Sequence, residues 1–93
     1  MNTDITNTSA SSPELPDFAL VVLTGGFVYA GRPRINEGYL YLSDAKCVRR
    51  WGTSRGLGQL ASEGVQPDTV LDPCADLLVP LHAMIHLMSC KPI

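Results

Sequence analysis

The segment Arg49 to Gly58, RRWGTSRGLG, gathers the residue types best suited to gripping an anion. Arg49 and Arg50 carry guanidinium groups that fork onto phosphate oxygens, and Trp51 offers a ring on which a base can stack. Gly52 to Gly58 contains three glycines, with Thr53, Ser54 and Arg55 between them. Backbone N–H groups of Gly56 to Gly58, entering a helix at Leu57, form a chemically sound anion site. The stretch lacks the terminal G-K-[ST] of a nucleotide-triphosphate loop. An ordinary turn before a helix accounts for the same glycines, and a Trp in a small domain also serves as its largest core residue.

Other reactive side chains point to less. His82 and His86 stand at i, i+4, the spacing of a two-histidine metal site on a helix. On a strand the same pair lies roughly 13 Å apart, too far to share a metal. With no H-E-x-x-H and no carboxylate close in sequence, they are expected to be structural, and no metal site is expected. Cys47, Cys74 and Cys90 are odd in number and form no C-x-x-C pair. Neither a disulfide framework nor a zinc site follows, and no orienting residue accompanies a Cys/His nucleophile. The expectation is a non-enzymatic protein without a cofactor.

Charge is distributed unevenly along the 93 residues, which sum to a formal −2. Between residues 32 and 55, Arg32, Arg34, Lys46, Arg49, Arg50 and Arg55 outnumber Glu37 and Asp44. Between 63 and 76, Glu63, Asp68, Asp72 and Asp76 meet no base. The first block can present a local anion-attracting face despite the overall sign. The two blocks can equally neutralise each other, within one subunit or between neighbours.

The elements that must position these residues are short. Residues 1–16, rich in Asn, Thr, Ser and Pro, are expected to form a disordered tail, because they bury too little apolar surface to offset ordering. They do not resemble a signal peptide, and no apolar run reaches the roughly 18 residues of a membrane span. The chain is therefore expected to be soluble and intracellular, with residues 17–93 as a single small β-rich domain. DFALVVLT, from Asp17 to Thr24, reads as a first strand, and Gly25-Gly26 as a tight turn. Phe27 to Ala30 is a second strand that bends at Gly31, with Pro33 at a position unsuited to the middle of a sheet. After the Asn36-Glu37-Gly38 turn, Tyr39 to Leu42 alternates, Leu40 and Leu42 on one face and Tyr39 and Tyr41 on the other. Ala45 to Trp51 is expected to continue as a strand with a bend, although Ser43 or Asp44 also fits a weak helix cap. Leu57, Leu60 and Ala61 mark a two-turn helix that ends at Gly64. Val65 to Asp76 reads as a connector, and Leu77 to Cys90 fits either a strand or a helix.

VVLTGGFVYAGRPRI, YLYLSDAKCVRRW, LGQLASEG and LHAMIHLM together resemble a family of small phage and prophage proteins of unknown function. The matching positions are Gly31, Leu42, Asp44, Ala45, Trp51, Leu57, Leu60, Ala61, Gly64 and Ala83. The chain departs from that pattern at Lys46-Cys47 and in the Gly-Thr-Ser-Arg-Gly loop. The resemblance implies a strand for the last segment. It also implies a mainly β, small α+β fold: an antiparallel SH3-like or Sm-like barrel or sheet with one short helix. It implies a viral setting in the cytoplasm of an infected or lysogenic bacterial host. By analogy, such a protein sequesters a small anionic nucleotide-like ligand, such as a signalling nucleotide of bacterial immunity.

The residues set for that role are Arg49, Arg50, Trp51, Thr53, Ser54, Arg55, Gly56 and Gly58. Homo-oligomerisation is expected because a core of about 77 residues is marginal alone. The apolar Leu77–Met88 stretch would bury Leu81, Ile85 or Met88 against a neighbour. An Sm-like RNA- or DNA-binding protein is the first alternative, and it requires a continuous basic surface with stacking aromatics. A protein-interaction module that inhibits a host enzyme is the second.

Overall fold

The computed structural model describes residues 14–93, so the tail expected over residues 1–16 lies outside the described residues up to position 13. Six strands form one antiparallel sheet: β1 (Ala19–Leu23), β2 (Val28–Asn36), β3 (Tyr39–Arg50), β4 (Val70–Pro73), β5 (Leu77–Pro80) and β6 (Met84–Ser89). One helix, α1 (Leu57–Glu63), follows β3, and a 3₁₀ turn (Leu81–Ala83) links β5 to β6. The mainly β expectation with a single short helix holds.

Strand order runs β4-β3-β2-β1-β6, and β5 shares the β3 margin with β4. β4 pairs with residues 46–50 of β3, and β5 with residues 39–42. Only three residues separate β5, on one margin, from β6, on the other. The turn between them is tied to both sides: the Leu81 amide donates to the Gly38 carbonyl, and the Thr24 amide to that of Ala83. The sheet therefore curls into a small barrel closed by the chain itself rather than by a ladder between β5 and β6.

Two-residue alternation divides the apolar side chains between the two faces. Ala19, Val21, Leu40, Leu42, Ala45 and Val79 cluster inside the curl. Phe18, Leu20, Val28, Ala30 and Val48 cluster on the other face, where Leu60 and Ala61 of α1 cover them. Leu20, Leu40, Leu42 and Leu60 are fully buried, each contributing about 1.5–3 kcal/mol of hydrophobic stabilisation. α1 is too short to persist alone, so Leu57, Leu60 and Ala61 hold it by docking.

β3 runs unbroken through Ser43-Asp44 because Asp44 takes φ 50° and a bulge absorbs the extra residue. Asp tolerates that left-handed backbone better than most residues. Opposite the bulge sits Gly31, where a Cβ would come within 2.7 Å of Leu42 Cγ and the Ser43 carbonyl oxygen. The bulge shifts the parity of β3: Leu40, Leu42 and Ala45 face inward, and Val48 faces α1. Pro33 pairs with Leu42 beyond the reach of β1, whose last partner on β2 is Gly31. Its missing N–H therefore breaks no ladder there.

One expectation changes. Val65 to Asp76 is not connector throughout: Val70–Pro73 adds β4, with Val48 facing Leu71 across the ladder. Two prolines flank that short run, and its margin position lets Pro73 end the strand without cost to a neighbour. In the closing segment, Leu81 and Met88 pack into the subunit's own clusters and leave Ile85 59% exposed.

Candidate functional site

Where β3 ends, two loops lie side by side: residues 51–56 leading into α1, and residues 64–69 leading out of it. Thr69 Oγ1 donates to the Trp51 carbonyl at 2.7 Å, and the Gln66 amide donates to Thr69 Oγ1 at 2.9 Å. Gly52 is the point of closest approach, at φ 67°. A Cβ there would lie 2.2 Å from the Asp68 carbonyl carbon and the Thr69 nitrogen. Only glycine satisfies both the backbone conformation and the contact.

Between the loops lies an open cleft of about 470 Å³. Arg50, Gly52, Thr53 and Ser54 line one side, Gln66, Pro67 and Asp68 the other, and Gln59 of α1 completes the lining. Its volume falls within the range of small-molecule sites. Polar groups of the first loop are largely turned inward. Thr53 Oγ1 donates to the Gly56 carbonyl at 2.8 Å, and Gln59 Oε1 accepts from the Arg55 amide at 2.8 Å. Gln59 thus stands at the helix entry and takes one of the amides an incoming anion would use.

The arginines of the segment part company. Arg49 and Arg50 stand where the β3–β4 ladder shifts register, between Val48 and Arg50. Arg49 forms a forked pair with Asp72 of β4, Nε–Oδ2 at 2.6 Å and Nη2–Oδ1 at 3.3 Å. That hydrogen bond and the Asp72 charge raise the Arg49 pKa above its ordinary value. Arg55 reaches Glu63 at the far end of α1. Arg50 has no carboxylate partner among the described residues and lines the cleft.

Trp51 is 43% exposed, so it does not serve as the largest core residue of this small domain. Gly56 precedes the helix at φ 87° and Gly58 lies in its first turn, both outside the cleft lining. The structure thus brings Arg50, Thr53 and Ser54 to one cleft, puts Trp51 at its approach in the chain, and ties Arg49 and Arg55 to carboxylates. Gln59, Gln66 and Asp68 were not among the expected site residues. Their link to the cleft comes from the parallel course of the two loops.

His82 lies in the 3₁₀ turn and His86 in β6, both exposed. Among the described residues no three His, Cys, Asp or Glu side chains gather as a metal cluster, and no helix is long and apolar enough to cross a membrane. Compared with protein-family models, curated proteins and solved structures, the chain matches none.

Proposed function

We propose that this chain is a non-enzymatic binding protein that takes a small anionic, nucleotide-like ligand in the cleft between the loops around Gly52 and Asp68. The observation that carries this reading is Arg50: a cation without a carboxylate partner among the described residues, on the wall of an open cleft of about 470 Å³. Its guanidinium suits a phosphate, Ser54 and Gln66 suit the polar edges of a base or sugar, and Trp51, next to Gly52 in the chain, is exposed and free to stack. Asp68 on the opposite wall disfavours a highly charged ligand and favours one with hydroxyl or amino donors as well as phosphate.

The sequence's resemblance to phage and prophage proteins extends the proposal to capture of a bacterial immune signalling nucleotide by a homo-oligomer. Charged hydrogen bonds contribute roughly 1.5–3 kcal/mol, so Arg50→Ala should weaken binding about 10- to 100-fold. Arg49→Ala and Arg55→Ala should change it much less, since their partners are Asp72 and Glu63. Calorimetric titration of the three variants with a panel of linear and cyclic nucleotides tests this. Absence of binding by the parent protein, or equal affinity of parent and Arg50→Ala, overturns it.

A further inference from the structure

α1 covers only part of the outer sheet face. Beyond Ala30 and Val48, that face continues over the far halves of β2 and β3 and onto β5, with no further element among the described residues packed above it. The register decides what it displays. Tyr39 pairs with Asn36 and Pro80, Tyr41 with Arg34 and Leu78, and Ser43 with Arg32. Leu40 and Leu42 point into the barrel core, so Tyr39 and Tyr41 point outward together, about 7 Å apart along the strand.

Arg34 lies with its guanidinium carbon 5.1 Å from the centre of the Tyr41 ring. Arg32 lies 5.6 Å from the centre of the Phe18 ring and 3.1 Å from Asp44. Arg34 has no ion-pair partner among the described residues. Tyr39 and Leu78 are 42% and 56% exposed. The depression between Arg32, Arg34, Tyr41 and Asp76 holds only about 150 Å³. That is below the size of a pocket enclosing a nucleotide, so a ligand must lie across this face rather than enter it.

From this arrangement we propose that the exposed face of β2, β3 and β5 binds single-stranded nucleic acid. Successive bases, splayed from the strand, stack on Tyr39 and on the Tyr41–Arg34 pair, and Arg34 meets an adjoining phosphate, whereas Arg32 is held by Asp44. An exposed sheet face with rings two residues apart on one strand, and the cation of Arg34 opposite one of them, is an arrangement suited to stacking recognition. A protein partner would use the same apolar surface, but it would leave the partnerless charge of Arg34 without a role. The site is separate from the Arg50 cleft, so each reading stands or falls alone.

Fluorescence anisotropy with labelled oligouridylate and oligothymidylate of about a dozen nucleotides, within the usual site size, tests the proposal. Parent protein should bind both at low salt. One neutralised phosphate gives a log–log salt slope of about −0.7, falling toward zero in Arg34→Ala. Tyr39→Ala and Tyr41→Ala should each weaken binding about 5- to 100-fold, and Tyr39→Phe should retain it. Arg50→Ala should bind oligonucleotide as the parent does. Tyr39 is a surface residue, so its substitution keeps the fold, and an unchanged circular dichroism melt verifies that. Absence of oligonucleotide binding by the folded parent, or full affinity in Tyr39→Ala, overturns the proposal. So does a partner protein that occupies this face while no oligonucleotide binds.

Discussion

Gly52 shows how one residue holds the cleft's two loops against each other. Replacing it with alanine forces a left-handed backbone on a side chain, at about 1–2 kcal/mol, and drives Cβ into the Asp68–Thr69 backbone. Gly26, at φ 84° with open space around it, isolates the first effect. Chemical denaturation should therefore show Gly26→Ala losing about 1 kcal/mol and Gly52→Ala distinctly more, and only the second should abolish the nucleotide binding proposed for the cleft. Cys90 gives a pH signature. Burial pushes its thiol pKa up in the folded protein, whereas the unfolded thiol ionises near 8.5 (roughly the free-cysteine value). Above that pH the unfolded chain releases a proton that the folded chain keeps. Stability is thus intact below about pH 8.5 and is lost as pH rises toward the raised folded value. Melting temperature measured from neutral to alkaline pH should fall less steeply in Cys90→Ala than in the parent. At this scale the sequence was informative about type and silent about direction. The Arg49-Arg50 pair was legible as a cationic spot. A carboxylate 23 residues downstream, Asp72, takes Arg49, while Arg50 lines the cleft.

Among the elements, α1 and β4 carry the clearest consequences. Leu60 is fully buried under the outer face, so Leu60→Ala should cost about 2–5 kcal/mol in denaturant unfolding. Because Gln59 sits on the same helix, that variant should also loosen the cleft. Asp72→Asn breaks a solvent-exposed ion pair between β3 and β4 and should leave denaturant unfolding close to that of the parent. A marked loss would mean that the pair, rather than the ladder, holds β4 in place. Most strands were readable because glycine turns bound them and their apolar residues alternate. The long β3 was readable too, once Asp44 is recognised as a residue able to sit in a bulge. β4 was not, because four residues between Pro67 and Asp76 carry too short a pattern and owe their strand to Val48 and Lys46 across the ladder. The end of the chain was ambiguous for another reason. LLVPLHAMIHLM is apolar enough for helix or strand, and long-range pairing with β3 and β1 selected two strands and a turn.

Taken as a whole, the molecule leaves both sheet margins with one side unpaired among the described residues, bearing Leu78 on β5 and Ile85 on β6. If the proposed homo-oligomer forms through these margins, Leu78→Glu and Ile85→Glu should each shift sedimentation toward the monomer without lowering the melting temperature. A parent protein that sediments as a monomer at micromolar concentration would remove the oligomer from the proposal. The pairing of the first strand with the last has a different consequence. Ala19 stands opposite Ser89, and the Cys90 amide donates to the Phe18 carbonyl at 3.0 Å. Both ends of the fold therefore leave from one spot, like the two legs of a hairpin. Such a domain can be spliced into a surface loop of an unrelated host protein without prying the host apart. It can also be circularly permuted: a short linker from Ile93 to Phe18, with new ends between Gly25 and Gly26, should give a protein that melts within a few degrees of the parent.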